Sequence, residues 1–173
     1  MRWSPVIAVS LLAASCGPRE AEPLVDLEAF AVVSHTMDDP FRDTRPADPD
    51  CDLATTGYEL FGGEPSYGVD TARCGYVTAS APSLTHIDEG DRVHLRLWHF
   101  DLVAREPATA TVAITVGGRP LFEKHLAIPG PSGLDAPSFE ATFDAEAGDR
   151  VHFHVRNHGS NSYALLEVTV GGQ

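Results

Sequence analysis

The chain has 173 residues, of which 43% are hydrophobic, with 12 basic and 25 acidic side chains giving a formal net charge of −13. That length fits a single domain with a core of ordinary size. The acidic balance, with Lys124 as the only lysine and the arginines scattered, repels nucleic acid and anionic lipid headgroups and excludes function classes that need a basic patch.

The N-terminus carries one basic residue, Arg2, followed by an apolar run from Val6 to Ala14. A membrane span needs about 20 apolar residues, so this run is too short to cross and has the layout of an export signal. The small residues Ala13, Ala14 and Ser15 directly before Cys16 resemble the lipobox of bacterial lipoproteins, with Ala13 where an aliphatic residue is usual and Leu12 one place further out. The resemblance covers residues 1–16. It implies cleavage before Cys16, a lipid on that thiol and hence a membrane partner; Gly17 in place of an aspartate implies the outer membrane of a bacterial envelope. An ordinary secretory signal cut nearby is the alternative, and both export the chain. The expected organisation is a signal peptide over 1–15, a flexible tether over 16–27 and one domain over 28–173.

With Cys16 assigned to lipid, the remaining cysteines are Cys51 and Cys74, and an oxidising envelope compartment favours their disulfide. The loop it would close is worth about 3 kcal/mol in the chain-entropy picture. A two-cysteine metal site is disfavoured, because neither residue has a second cysteine or a histidine close in sequence. Asp38, Asp39, Asp43, Asp48, Asp50 and Asp52, interleaved with Pro40, Pro46 and Pro49, predict a solvated loop. Alternating aspartates can ligate calcium, but the glycine turn and closing glutamate of an EF-hand are missing.

Beyond the tether, short runs rich in Val, Ile, Thr, Phe and Tyr recur between turn residues. They predict strands at 28–34, 57–61, 75–80, 92–99, 109–116, 121–127, 138–144, 150–157 and 163–170. Gly117-Gly118 predicts a hairpin between two of them. A weak repeat links Glu89-Gly90-Asp91-Arg92-Val93-His94-Leu95-Arg96-Leu97 to Ala147-Gly148-Asp149-Arg150-Val151-His152-Phe153-His154-Val155, in each case a turn feeding an alternating strand. Many short strands with an internal echo predict an all-β, jelly-roll-like antiparallel sandwich, with an immunoglobulin-like sandwich as the alternative.

Alternation sorts the side chains of the two echoing strands. Val93, Leu95 and Leu97 oppose His94, Arg96 and Trp98, while Val151, Phe153 and Val155 oppose His152, His154 and Arg156. If the two strands were neighbours, their polar faces would form one patch. His152 and His154, two apart, could bridge a metal ion with His94 and His158 completing the set, so zinc or copper is the expected cofactor class. The valine-rich strand after a Gly-Asp turn also resembles cupredoxin strands, but the cysteine thiolate and axial methionine of a blue-copper site are not both on hand.

Carbohydrate binding is the alternative function, since jelly rolls of secreted proteins often bind sugars through exposed aromatics. Trp98 is the candidate platform, with His99, Arg96 and Arg156 as polar contacts; Tyr58, Tyr67, Tyr76 and Tyr163 are the other candidate aromatics. A structural or interaction domain without a small ligand is a further alternative. No Gly-x-Ser-x-Gly elbow, His-Glu-x-x-His motif or phosphate loop occurs, so a non-catalytic binding module is expected rather than an enzyme. A hydrolase could still hide its two carboxylates among the acids. Oligomeric state is not legible.

Overall fold

The computed structural model describes residues 19–34, 36–47, 55–72 and 74–172. The signal segment, Cys16, Cys51 and the aspartates at 48, 50 and 52 lie outside these residues. The described strands are β1 (Glu22–Pro23), β2 (Ala31–Val32), β3 (Thr56–Phe61), β4 (Glu64–Asp70), β5 (Tyr76–Pro82), β6 (Arg92–His99), β7 (Ala108–Val116), β8 (Arg119–Ile128), β9 (Gly133–Asp135), β10 (Ser138–Glu140), β11 (Arg150–Arg156) and β12 (Ser162–Val170).

They form two antiparallel sheets. One runs β10-β6-β12-β4-β3, with β1 added to β12 and β9 to β6; the other runs β2-β5-β11-β7-β8. The pairing is nested: β7 with β8, β6 with β9 and β10, β5 with β11, and β4 with β12. A long antiparallel ribbon folded over so that alternate pairs fall in opposite sheets is the jelly roll, and this chain is one.

Inward-facing aliphatics from both sheets make the core. Val93, Leu95 and Leu97 of β6 face Val151, Phe153 and Val155 of β11, all at most 1% exposed. Burying each side chain contributes about 1.5–3 kcal/mol. In β12 the register shifts between Leu165 and Glu167, so Tyr163 and Leu165 point inward before the bulge and Val168 and Val170 after it.

The hairpin at Gly117-Gly118 is present, with Val116 paired to Arg119. The repeat is structural as well. In each copy a backbone N–H donates to an aspartate carboxylate three residues on: Asp88 to Asp91 and Glu146 to Asp149, both at 3.0 Å. The two turns pair through Ile87 and Ala145, then send β6 into one sheet and β11 into the other. The echoing strands are therefore not neighbours.

Several expected boundaries move. Residues 28–34 supply only the two-residue β2, because the Asp26 carboxylate accepts from the Glu28 N–H at 3.0 Å and starts a 3-10 turn over Leu27–Ala29. Residues 138–144 are strand only to Glu140. Residues 19–27, expected within the tether, are packed: Leu24 is fully buried, and the Arg19 guanidinium donates to Asp91 at 2.8 Å.

Candidate functional site

The outward face of β11 carries His152 and His154 as alternation requires, yet both are buried, at 7% and 1% exposure. The segment 36–47 lies over them. Phe41 stacks on the His154 ring with centroids 4.1 Å apart, and Tyr76 meets that ring edge-on at 4.7 Å. Thr78 Oγ1 is 2.9 Å from His154 Nδ1, and Thr115 Oγ1 is 3.2 Å from His152 Nδ1. Asp39, from the loop expected to be solvated, is 1% exposed. Its carboxylate accepts from the Tyr76 hydroxyl at 2.7 Å, Arg45 at 2.9 Å, the Phe41 N–H at 2.9 Å and the Thr78 hydroxyl at 3.1 Å.

These surroundings set the protonation. Burial pushes His154 down to about 4, although the nearby Asp39 charge works the other way. Burial lowers His152 as well. Burial would raise Asp39, but the hydrogen bonds it accepts from Tyr76, Phe41, Arg45 and Thr78 outweigh that and hold it below its ordinary value. The cluster is a neutral-histidine, ion-paired clamp that fastens the loop to the sheet.

The expected histidine patch is not assembled. His94 lies on the other sheet, where its Nδ1 is 3.0 Å from Ser138 Oγ, and His158 lies in the turn after β11. Among the described residues no group of three or more His, Cys, Asp and Glu side chains is placed to hold a metal ion. Separation of the echoing strands into opposite sheets is the physical reason.

The outer face of the seven-stranded sheet is different. Trp98 projects from β6 between buried neighbours, and its cross-strand row continues through Ala164 on β12, Gly68 on β4 and Gly57 on β3. These small residues make a low floor. Phe61 and Phe100 rise beside it, 5.7 Å apart edge to face, and Trp98 packs against both at 5.7 and 6.4 Å. The resulting open cleft, of about 530 Å³, is lined by Tyr58, Glu59, Phe61, Gly68, Phe100 and Ala164 among others. Phe100 is half exposed, and Leu60 and Tyr58 on the rim are 66% and 43% exposed.

Glycine at 68 leaves open space on the cleft floor. A Cβ there would lie 2.2 Å from Glu59 Oε1, so the glycine leaves room for the carboxylate to lie on the floor. The Trp98 indole Nε1 is buried with no hydrogen-bond partner among the described residues. Arg96, on the same face, is held by Glu64 at 3.0 Å and Glu167 at 3.7 Å. His99 points inward, 6% exposed, and its ring donates to the Phe100 carbonyl at 3.0 Å. Arg156 belongs to the other sheet. Of the four expected ligand contacts, Trp98 and Arg96 share the cleft's face. Phe61, half-buried, and Phe100, half exposed, were outside the expected set; an aromatic on a turn-flanked strand end was the signal for both.

No protein-family model and no curated protein matches the chain. Solved structures show a likeness in fold. The Agl-KA catalytic domain superposes with a TM-score of 0.47 at 13% identity, over 96% of this chain and 30% of that one. The N-terminal cellulose-binding domain of Cellulomonas fimi β-1,4-glucanase C gives 0.42 at 14% identity, over 73% of this chain and 98% of its own. CBM51 from Clostridium perfringens GH95, in complex with methyl-galactose, gives 0.42 at 10%, over 87% and 99%. The chain thus spans under a third of the Agl-KA catalytic domain and nearly all of the other two.

Proposed function

We propose that this chain is a non-catalytic binding module for a neutral saccharide, held in the cleft of the seven-stranded sheet. The supporting observation is the pairing of the half-exposed Phe100 ring and the partly buried Phe61 ring with a carboxylate over a floor of small residues. Phe61 and Phe100 offer flat apolar faces to the C–H face of a sugar ring, while Glu59 and Asp70 on the cleft offer acceptors to its hydroxyls. The cleft is open along the sheet, which suits a chain of sugar units rather than an enclosed small molecule. Trp98 backs both phenylalanines and fixes their tilt.

The module is exported and tethered by lipid at Cys16, and a Cys51–Cys74 disulfide ties the acidic segment to the start of β5. The basic start and small residues before Cys16 support the first, and the compartment supports the second. Mass spectrometry of membrane-extracted protein tests the anchor: a lipidated N-terminal Cys16 is expected, and an unlipidated N-terminus overturns it. For the cleft, titration with a panel of neutral oligosaccharides is expected to show saturable binding that Phe100→Ala weakens at least about tenfold. Binding unaffected by Phe100→Ala and Trp98→Ala overturns the assignment.

A further inference from the structure

A second cleft, of about 1000 Å³, lies on the five-stranded sheet beside the turn that follows β11. Its floor is one cross-strand row: Arg156 on β11 pairs with Thr111 on β7, and Thr111 with His125 on β8. Thr111 Oγ1 is 3.1 Å from His125 Nδ1. Arg105 and His158 come in from the flanking loops. In a chain of net charge −13 this places two arginines and two imidazoles around one space. Among the described residues neither Arg105 nor Arg156 pairs with a carboxylate. Glu106 also lines the cleft, and Glu123 is 3.2 Å from His125 Nε2.

The walls are fixed from below by a buried amide network. Asn157 Nδ2 donates to Thr71 Oγ1 at 2.6 Å, and Asn161 Nδ2 donates to Asn157 Oδ1 at 3.0 Å and to the Val103 carbonyl at 3.1 Å. The Val103 N–H donates back to Asn161 Oδ1 at 2.6 Å. Thr71, Asn157 and Asn161 are each no more than 4% exposed. Gly159 completes the junction: at φ +92 it lets the turn press on the Val103–Ala104 backbone, where a Cβ would lie 2.2 Å from the Val103 carbonyl. Two loops that carry Arg105 and His158 are thereby locked together beside Arg156.

We infer that this cleft binds an oxyanion-bearing saccharide, a uronate or a sulfated sugar, with the Arg105 and Arg156 guanidiniums on the anion. Guanidinium forks match carboxylate and sulfate oxygens in pairs. The hydroxyls of Thr109 and Thr111 line the same space and suit a hydroxylated ligand, and the cleft is far larger than a lone ion needs. The saccharide part rests on the function proposed above; the anion part does not.

Isothermal titration with trigalacturonate, a sulfated disaccharide and inorganic sulfate tests it, on the wild type and on Arg105→Gln, Arg156→Gln and Arg42→Gln variants. Saturable binding of an acidic saccharide is expected, weakened about tenfold by each cleft substitution and unchanged by Arg42→Gln. Arg105 and Arg156 are exposed, so their loss leaves the fold intact. Absence of binding, or equal binding to the double Arg105→Gln/Arg156→Gln variant, overturns the site. Inorganic sulfate binding as tightly as the saccharides overturns the saccharide part alone. Neutral glycans failing in the titration of the aromatic cleft, while acidic ligands bind here, overturns the aromatic-cleft assignment and leaves the anion site standing.

Discussion

Acidification should loosen this protein well before its carboxylates protonate, and His154 is the cause. Its ring is 1% exposed between Phe41 and Tyr76, and burial pushes its pKa down to about 4. In the unfolded chain the same imidazole titrates near 6.5. Between those values the unfolded state takes a proton that the native state refuses, so the stability this group confers is complete above 6.5 and is lost as pH falls toward 4. A difference of about 2.5 units at 1.36 kcal/mol each gives about 3 kcal/mol. His152 is lowered in the same direction and adds to the slope. Asp39 does not act in this window, because its carboxyl is held below the ordinary value and its contribution vanishes only at still lower pH. Urea unfolding followed by tryptophan fluorescence at intervals from pH 7 to 4.5 measures the effect. His154→Gln is expected to lower stability at pH 7 but to flatten most of the slope. Parallel pH profiles for the variant and the wild type would refute the assignment of the slope to His154.

Asp39→Ala should cost about 3–5 kcal/mol, since it leaves Arg45 and the Tyr76 hydroxyl without their shared acceptor beneath the loop; a fall in thermal midpoint of under 3 °C would contradict this. Gly159→Ala forces a Cβ into the Val103 carbonyl and is expected to destabilise by about 2 kcal/mol, read by denaturant midpoint. Gly68→Ala displaces only the end of the flexible Glu59 side chain, so it should leave stability within about 1 kcal/mol while weakening saccharide binding. Thiol counting under denaturing, non-reducing conditions should find neither Cys51 nor Cys74 reactive.

The fold was legible wherever the core is built from alternation. Val93, Leu95 and Leu97, or Val151, Phe153 and Val155, announce both strand and inward face. β4 was not, because Pro65, Gly68 and Asp70 give Glu64–Asp70 the composition of a turn; the space Gly68 leaves for the Glu59 carboxylate appears only once two strands meet. Face parity placed His152 and His154 correctly on the outer side of β11. What covers them was hidden, since Asp39 and Phe41 reach them from more than 100 residues away, out of a segment whose composition is that of a solvated loop. Similar turns ahead of β6 and β11 suggested one shared patch, whereas in a nested ribbon equivalent strands enter opposite sheets. Trp98 was found by parity, but Phe61 and Phe100 join it only through the folding of the β3–β4 hairpin and the end of β6.

The most direct test of the central claim is calorimetric titration of the wild-type protein and Phe100→Ala with neutral oligosaccharides of increasing length. Saturable binding that strengthens with chain length and weakens at least about tenfold in the variant, equivalent to about 1.4 kcal/mol, is predicted. Absence of any saturable response, or equal affinity with and without the Phe100 ring, would contradict it.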